Sequence, residues 1–127
     1  MPSEPLPQIL CDARALTGRP PASVEVAWKL AESGRQLDAN LVRLPPGERI
    51  ATHTEPDLDV LVTVVAGSGT VDAPAADGPQ DLTPGTVLWL PHGSTRSLTA
   101  GEEGIAYFTV HRRRPGMQIR PRPAATP

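Results

Sequence analysis

Interruptions to regular secondary structure come at short intervals along this sequence. Its 127 residues include 16 prolines and 11 glycines. Proline cannot donate a backbone hydrogen bond, and glycine readily adopts the positive φ angles of tight turns, so no long helix fits between them. The intervening segments are short, rich in β-branched residues and separated by turn signals about every 8–12 residues. This pattern predicts an all-β sandwich or barrel with little helix.

Apolar patterning locates the individual strands. Residues 24–30 and 37–44 alternate apolar and polar side chains, which is typical of strands with one buried face. Residues 60–66 are almost continuously apolar, which indicates a strand covered on both faces. Further strands are predicted over residues 70–73, 86–90, 95–99 and 105–111, with turns at 67–69 and 100–104. The result is roughly eight or nine short strands.

Length, charge and cysteine content exclude several classes of protein. One domain accounts for the length, and a formal net charge of -2 lacks the basic excess of a nucleic-acid-binding protein. The single cysteine, Cys11, excludes an internal disulfide and fits a reducing compartment. Residues 1–7 lack the features of a signal peptide, and no apolar run is long enough to span a membrane. We therefore expect a cytoplasmic protein that binds neither nucleic acid nor membranes.

The same patterns divide the chain into three regions. Residues 1–22 form an N-terminal arm, in which residues 8–16 could be a short helix, an edge strand or an ordered arm. Residues 23–113 form the barrel. Residues 114–127 are rich in proline and arginine and are predicted to be a flexible tail.

Residues 47–67 contain the first of two motifs, with a glycine at each end and a histidine between them. Gly47 is followed after five residues by His53, and Glu55 comes two positions later. Val60 stands where an acidic residue would complete the motif, and Gly67 closes it.

The second motif, residues 85–100, contains Gly85, Pro91 and Gly93 in the expected register, with Arg96 at a position for histidine. Together the two motifs resemble those of the cupin superfamily, over about residues 37–110. The resemblance implies a single-domain, jelly-roll β-barrel, which often pairs as a homodimer. Family members hold a divalent metal through three histidines and a glutamate; only His53 matches here, so the metal site is degenerate.

Three side chains are therefore predicted to line a pocket: His53, Glu55 and Arg96. His53 and Glu55 are two residues apart on a predicted strand, so both point to the same face. Arg96 could form a bidentate ion pair with Glu55, or it could present its guanidinium to a small anionic ligand. Our first hypothesis is a small-molecule-binding protein, non-catalytic or only weakly catalytic, whose pocket holds an anion through Arg96 and His53 without a cofactor.

Two other functions remain open. One is a metal-dependent enzyme of dioxygenase or isomerase type that uses His53, Glu55 and either Asp57 or Asp59. A bulge near Pro56 would turn Asp59 inward to complete the set of His53, Glu55 and Asp59. The other is a non-catalytic scaffold whose pocket is filled by its own side chains. The sequence does not identify catalytic residues for either.

The last strand presents two faces with different chemistry. Ala106, Phe108 and Val110 alternate with Tyr107, Thr109 and His111. Since the first set is more apolar, it is predicted to face the core, which places Tyr107 and His111 outside the pocket. His92, between Pro91 and Gly93, is predicted to be an exposed turn residue.

Overall fold

The computed structural model describes residues 5–114, and within them residues 25–112 form a barrel of seven antiparallel strands. The strands are β1 Glu25–Lys29, β2 Leu37–Leu44, β3 Arg49–Thr54, β4 Val60–Asp72, β5 Gln80–Leu82, β6 Val87–Leu90 and β7 Thr95–Arg112. One 3-10 turn, Ala13–Leu16, precedes them in the arm. The prediction of an all-β chain with little helix is confirmed. The predicted tail beyond Arg114 lies outside the described residues.

Two long strands, β4 and β7, connect the two halves of the barrel. The second half of β7 pairs with β2 and with the start of β4, and β1 and β6 extend this sheet at its edges. The first half of β7 pairs with β3 and with the end of β4, to which β5 is added. The two halves face each other across the interior, as in a jelly roll.

The turns predicted at residues 67–69 and 100–104 are wrong, because β4 and β7 continue through both segments. The register between the two strands shifts between Gly67 and Gly69. A Cβ added to Gly67 would lie 2.8 Å from the carbonyl carbon of Gly104. These glycines allow two bent strands to approach closely instead of reversing the chain. Residues 5–114 therefore form seven strands and not the eight or nine predicted.

The core lies between the two halves and is mostly aliphatic. Along β4, Val60, Val62 and Val64 are buried, whereas the intervening Leu61 is 40% exposed. The expectation that both faces of this strand are covered is therefore wrong at Leu61. Burial alternates because only one face of β4 lines the interior.

The outer face of the same sheet is also apolar. Leu41 is fully buried there, and the rings of Trp28 and Phe108 meet edge to face with centroids 5.9 Å apart. Val87 and Trp89 extend this face and are more than half exposed. Among the described residues, no helix has the length and apolar character required to cross a membrane.

Candidate functional site

A cavity of about 350 Å³ occupies the barrel interior. Its walls are largely aliphatic, and its polar lining includes the three residues predicted from the motifs, His53, Glu55 and Arg96. The volume is at the small end of the range for ligand pockets. Motif spacing therefore brought the right residues together, although their partners differ from those expected.

Strand pairing places His53 beside Arg96. The two residues are directly opposite each other on β3 and β7, so their side chains project from the same face. The loop after β3 and the loop before β7 are also joined, because the backbone N–H of Gly93 donates to the carbonyl oxygen of Glu55 at 2.7 Å. The two motifs thus meet at one end of the cavity, although they are distant in sequence.

Arg96 is a buried cation with unused hydrogen-bonding capacity. Arg96 is only 6% exposed. Nη1 donates to the carbonyl oxygen of Ser94 at 3.2 Å and to its Oγ at 3.1 Å, while Nε has no partner. None of the ion pairs formed within residues 5–114 includes it. Burial lowers the pKa of Arg96, an effect that the nearby charge of Glu55 opposes.

Glu55 pairs with a different arginine. Its Oε1 accepts from Nη2 of Arg114 at 2.5 Å, and its Oε2 accepts from the backbone N–H of Asp57 at 2.9 Å. The bidentate Arg96–Glu55 pair is therefore wrong. Arg114 reaches the cavity because its own N–H is bound by Oδ2 of Asp38 at 3.2 Å, just after β7 ends. This contact depends on tertiary structure, and no sequence motif indicates it.

The tautomer of His53 follows from its backbone contact. Nδ1 lies 2.9 Å from the carbonyl oxygen of Ala51, which can only accept, so Nδ1 carries a proton. Nε2 is therefore an acceptor when the ring is neutral and a donor when it is protonated. His53 adds positive charge to the site only in its protonated form.

The face assigned to the last strand is wrong, since Tyr107, Thr109 and His111 line the cavity. Tyr107 lies opposite Val42 on β2 and Val64 on β4, both of which face inward. Hydrophobicity misled the assignment because the outer face of this sheet is apolar too. Burial raises the pKa of the Tyr107 hydroxyl to about 12, so this group remains protonated at neutral pH. The recurrence of polar residues at every second position was the available signal.

The proposed third metal ligands stay outside the cavity. Oδ1 of Asp59 accepts from the backbone N–H of His92 at 2.9 Å and contacts its Nδ1 at 2.8 Å. This pair joins the two exposed loops, and Asp57 is also exposed. No group of three or more metal-ligating side chains is formed by the residues described. The donor set does not fit the divalent metal that the motif resemblance implies, because a valine and a buried guanidinium stand at two of the expected ligand positions.

Lowering the pH should weaken the ion pair between Glu55 and Arg114. The hydrogen bond from Arg114 lowers the pKa of Glu55 from 4.5 to about 2. A carboxyl group with a depressed pKa stabilises the fold above its ordinary pKa and loses that contribution as the pH falls through the folded value. In thermal unfolding, the wild type should lose stability relative to Glu55→Gln between about pH 4.5 and 2. A constant difference across this window would contradict the pairing.

The seven-stranded barrel and its interior cavity define a jelly-roll protein with a ligand-sized pocket. No family model matches the sequence, and no curated protein matches it. Solved structures do: a Rhizobium leguminosarum protein of unknown function has a TM-score of 0.66 and 21% identity, over 86% of this chain and 99% of that one. A cupin superfamily protein from Desulfitobacterium hafniense has a TM-score of 0.62 and 20% identity, over 85% and 92%.

KdgF from Halomonas sp. is similar at a TM-score of 0.61 and 21% identity, over 70% of this chain and 78% of that one. The chain has the cupin fold. Solved structures with this similarity also include a lyase, a sugar phosphate isomerase and a polyketide cyclase, and the chain spans only 41%, 53% and 56% of their lengths. One fold thus accommodates several chemistries, and function must be argued from the site.

Proposed function

We propose that the barrel cavity binds a small anionic molecule, whose charged group pairs with Arg96 and His53. The supporting observation is the buried guanidinium of Arg96, whose Nε is unpartnered and which lies at the wall of an open cavity. A buried charge without a counter-ion costs several kcal/mol, and an anion in the cavity would offset that cost. The planar guanidinium suits carboxylate or phosphate oxygens, which it can bind through two parallel hydrogen bonds.

Neighbouring groups would assist in binding. The Tyr107 hydroxyl is protonated and can donate to an anion. Protonated His53 would add a second donor and a second positive charge next to Arg96. Arg114 is already engaged by Glu55, so it contributes less.

The proposal is tested by thermal unfolding in increasing concentrations of acetate, benzoate and phosphate at constant ionic strength. An anion that binds the native state stabilises it, by about 2.7 kcal/mol at a hundred times its Kd. We expect saturable stabilisation of the wild type by at least one of these anions, and none of Arg96→Met. Arg49→Met, at an exposed β3 position, is the matched control and should respond as the wild type does. Equal responses in both variants, or no response at all, would refute the proposal.

The two alternatives receive less support from this geometry. A metal-dependent enzyme would need a third ligand close to His53 and Glu55. Neither Asp57 nor Asp59 lines the cavity, and although His111 does, the described residues form no group of three metal-ligating side chains. Stoichiometric metal in the purified protein that His53→Ala removes would nevertheless favour that function over ours. A scaffold is expected to fill its own interior, whereas about 350 Å³ remains open. No catalytic residue is assigned.

The homodimer and the cytoplasmic location stay predictions. Leu61, Val87 and Trp89 lie at paired positions on the outer face of β4 and β6 and are 40–62% exposed. A second copy covering them would remove apolar surface from water. The mass in solution tests this, since a dimer would have twice the 13.5 kDa of the chain.

A further inference from the structure

The charges of the cavity do not balance within the described part of the chain. Glu55 is neutralised by Arg114 in a 2.5 Å ion pair. Arg96 has only the uncharged oxygens of Ser94 as acceptors. When His53 and His111 are neutral, these groups leave a net charge of one positive unit. That charge is on Arg96, which is only 6% exposed.

Apart from the polar side chains of Ser97, Tyr107, Thr109 and His111, the remaining walls are aliphatic and unsuited to a polar ligand. Val42, Val60, Val62 and Leu98 are among the aliphatic side chains that line the cavity. These surfaces offer no hydrogen bonds, so sugar hydroxyls against them would lose their hydration without compensation. An apolar group placed there would instead gain about 25 cal/mol per Å² of apolar surface removed from water.

From these two observations we propose that the ligand is a monovalent carboxylate with a compact apolar body. Its carboxylate occupies the guanidinium of Arg96, and its body packs against the aliphatic wall. The inference rests on the anion-binding function proposed above and specifies the class of ligand. A cavity of about 350 Å³ accommodates roughly ten to fifteen non-hydrogen atoms, given about 30 Å³ for one water molecule in the liquid.

Arg96 borders a second, smaller pocket, so the position of the ligand in the barrel interior needs its own test. Arg96 also borders a space of about 150 Å³ beneath the connection between β4 and β5, on the side of Ser94. Val42 lines the larger cavity and not the smaller one. A substitution at Val42 therefore affects an apolar body in the barrel interior without touching the alternative site.

The experiment compares the wild type with three acids, hexanoate, benzoate and 3-phenylpropionate, with the alcohol of each, and with glucose 6-phosphate. Calorimetric titration and thermal unfolding report binding. We expect at least one acid to bind saturably, at least tenfold more tightly than its alcohol and than glucose 6-phosphate. Arg96→Met should abolish binding of that acid.

A pair of matched variants tests the apolar wall. Val42→Thr keeps the shape of the side chain but introduces a hydroxyl, and it should weaken binding of the acid by roughly three- to tenfold. Val87→Thr makes the same change on β6 at a position that is 62% exposed, and it should leave the affinity unchanged. Equal affinity in the wild type and in both variants would overturn the placement in the barrel.

The outcomes also separate this inference from the broader proposal. If glucose 6-phosphate binds through Arg96 and none of the three acids does, the apolar carboxylate is refuted and the anion site stands. If the alcohols bind as well as the acids and Arg96→Met has no effect, both are refuted. Absence of binding by all three acids overturns the ligand class, whatever phosphate does.

Discussion

Arg96→Met is expected to raise the free energy of unfolding of the ligand-free protein by about 1–3 kcal/mol. Methionine replaces the guanidinium by an apolar side chain that adapts its shape to the space. The wild type leaves Nε unpartnered and the guanidinium outside any ion pair of the described residues, so the substitution removes an unfavourable term. Urea unfolding of both proteins at neutral pH, in a buffer without carboxylate or phosphate, provides the measurement.

The control for this prediction is Arg96→Lys. Lysine retains the charge but lacks the planar fork, so it should be no more stable than the wild type and should bind carboxylates less tightly. If Arg96→Met were destabilised by more than about 1 kcal/mol, the guanidinium would be a structural element of the fold. A gain in stability accompanied by lost binding is the pattern of a residue kept for function at a cost to the fold.

Gly67→Ala should lower the free energy of unfolding by about 3–5 kcal/mol or prevent folding. The residue has a φ of +74°, and a Cβ there would overlap the carbonyl group of Gly104 on β7. Backbone atoms cannot rotate away as a flexible side chain can, so β4 and β7 would have to separate. Urea unfolding, or the yield of folded protein if the variant is unstable, measures the effect.

Gly47→Ala measures the conformational part of this loss, so the difference between the two variants is the steric part. Gly47 has a φ of +75°, almost the same backbone conformation, but nothing lies within 4 Å of a Cβ added there. Only the strain of the left-handed conformation remains, which costs about 1–2 kcal/mol. Similar losses in the two variants would mean that the contact between β4 and β7 does not constrain the barrel.

The strand and turn pattern predicted an all-β sandwich or barrel, and the resemblance of the two motifs to those of cupins implied the barrel. The glycine and proline positions of the motifs carry this information because turns and close approaches depend on local backbone conformation. Gly47, Gly85 and Gly93 have positive φ, as their turns require. Gly67 shows the limit of this reasoning. It carries positive φ too, but it serves a contact with Gly104, and the sequence cannot distinguish a glycine in a turn from one beneath another strand.

The candidate site, like the fold, was predicted from the sequence only in part. Strand alternation predicted that His53 and Glu55 share a face, and the resemblance of the two motifs to those of cupins implied that Arg96 joins them in one cavity. Fixed offsets from the turns carry this information because they determine strand register and therefore the direction of each side chain. Partner choice was decided only by tertiary structure: Glu55 binds Arg114, which is distant in the sequence, and Arg96 is left without a carboxylate. The inward direction of Tyr107 was likewise decided by packing, since both faces of its sheet are apolar and hydrophobicity alone does not identify the inner one.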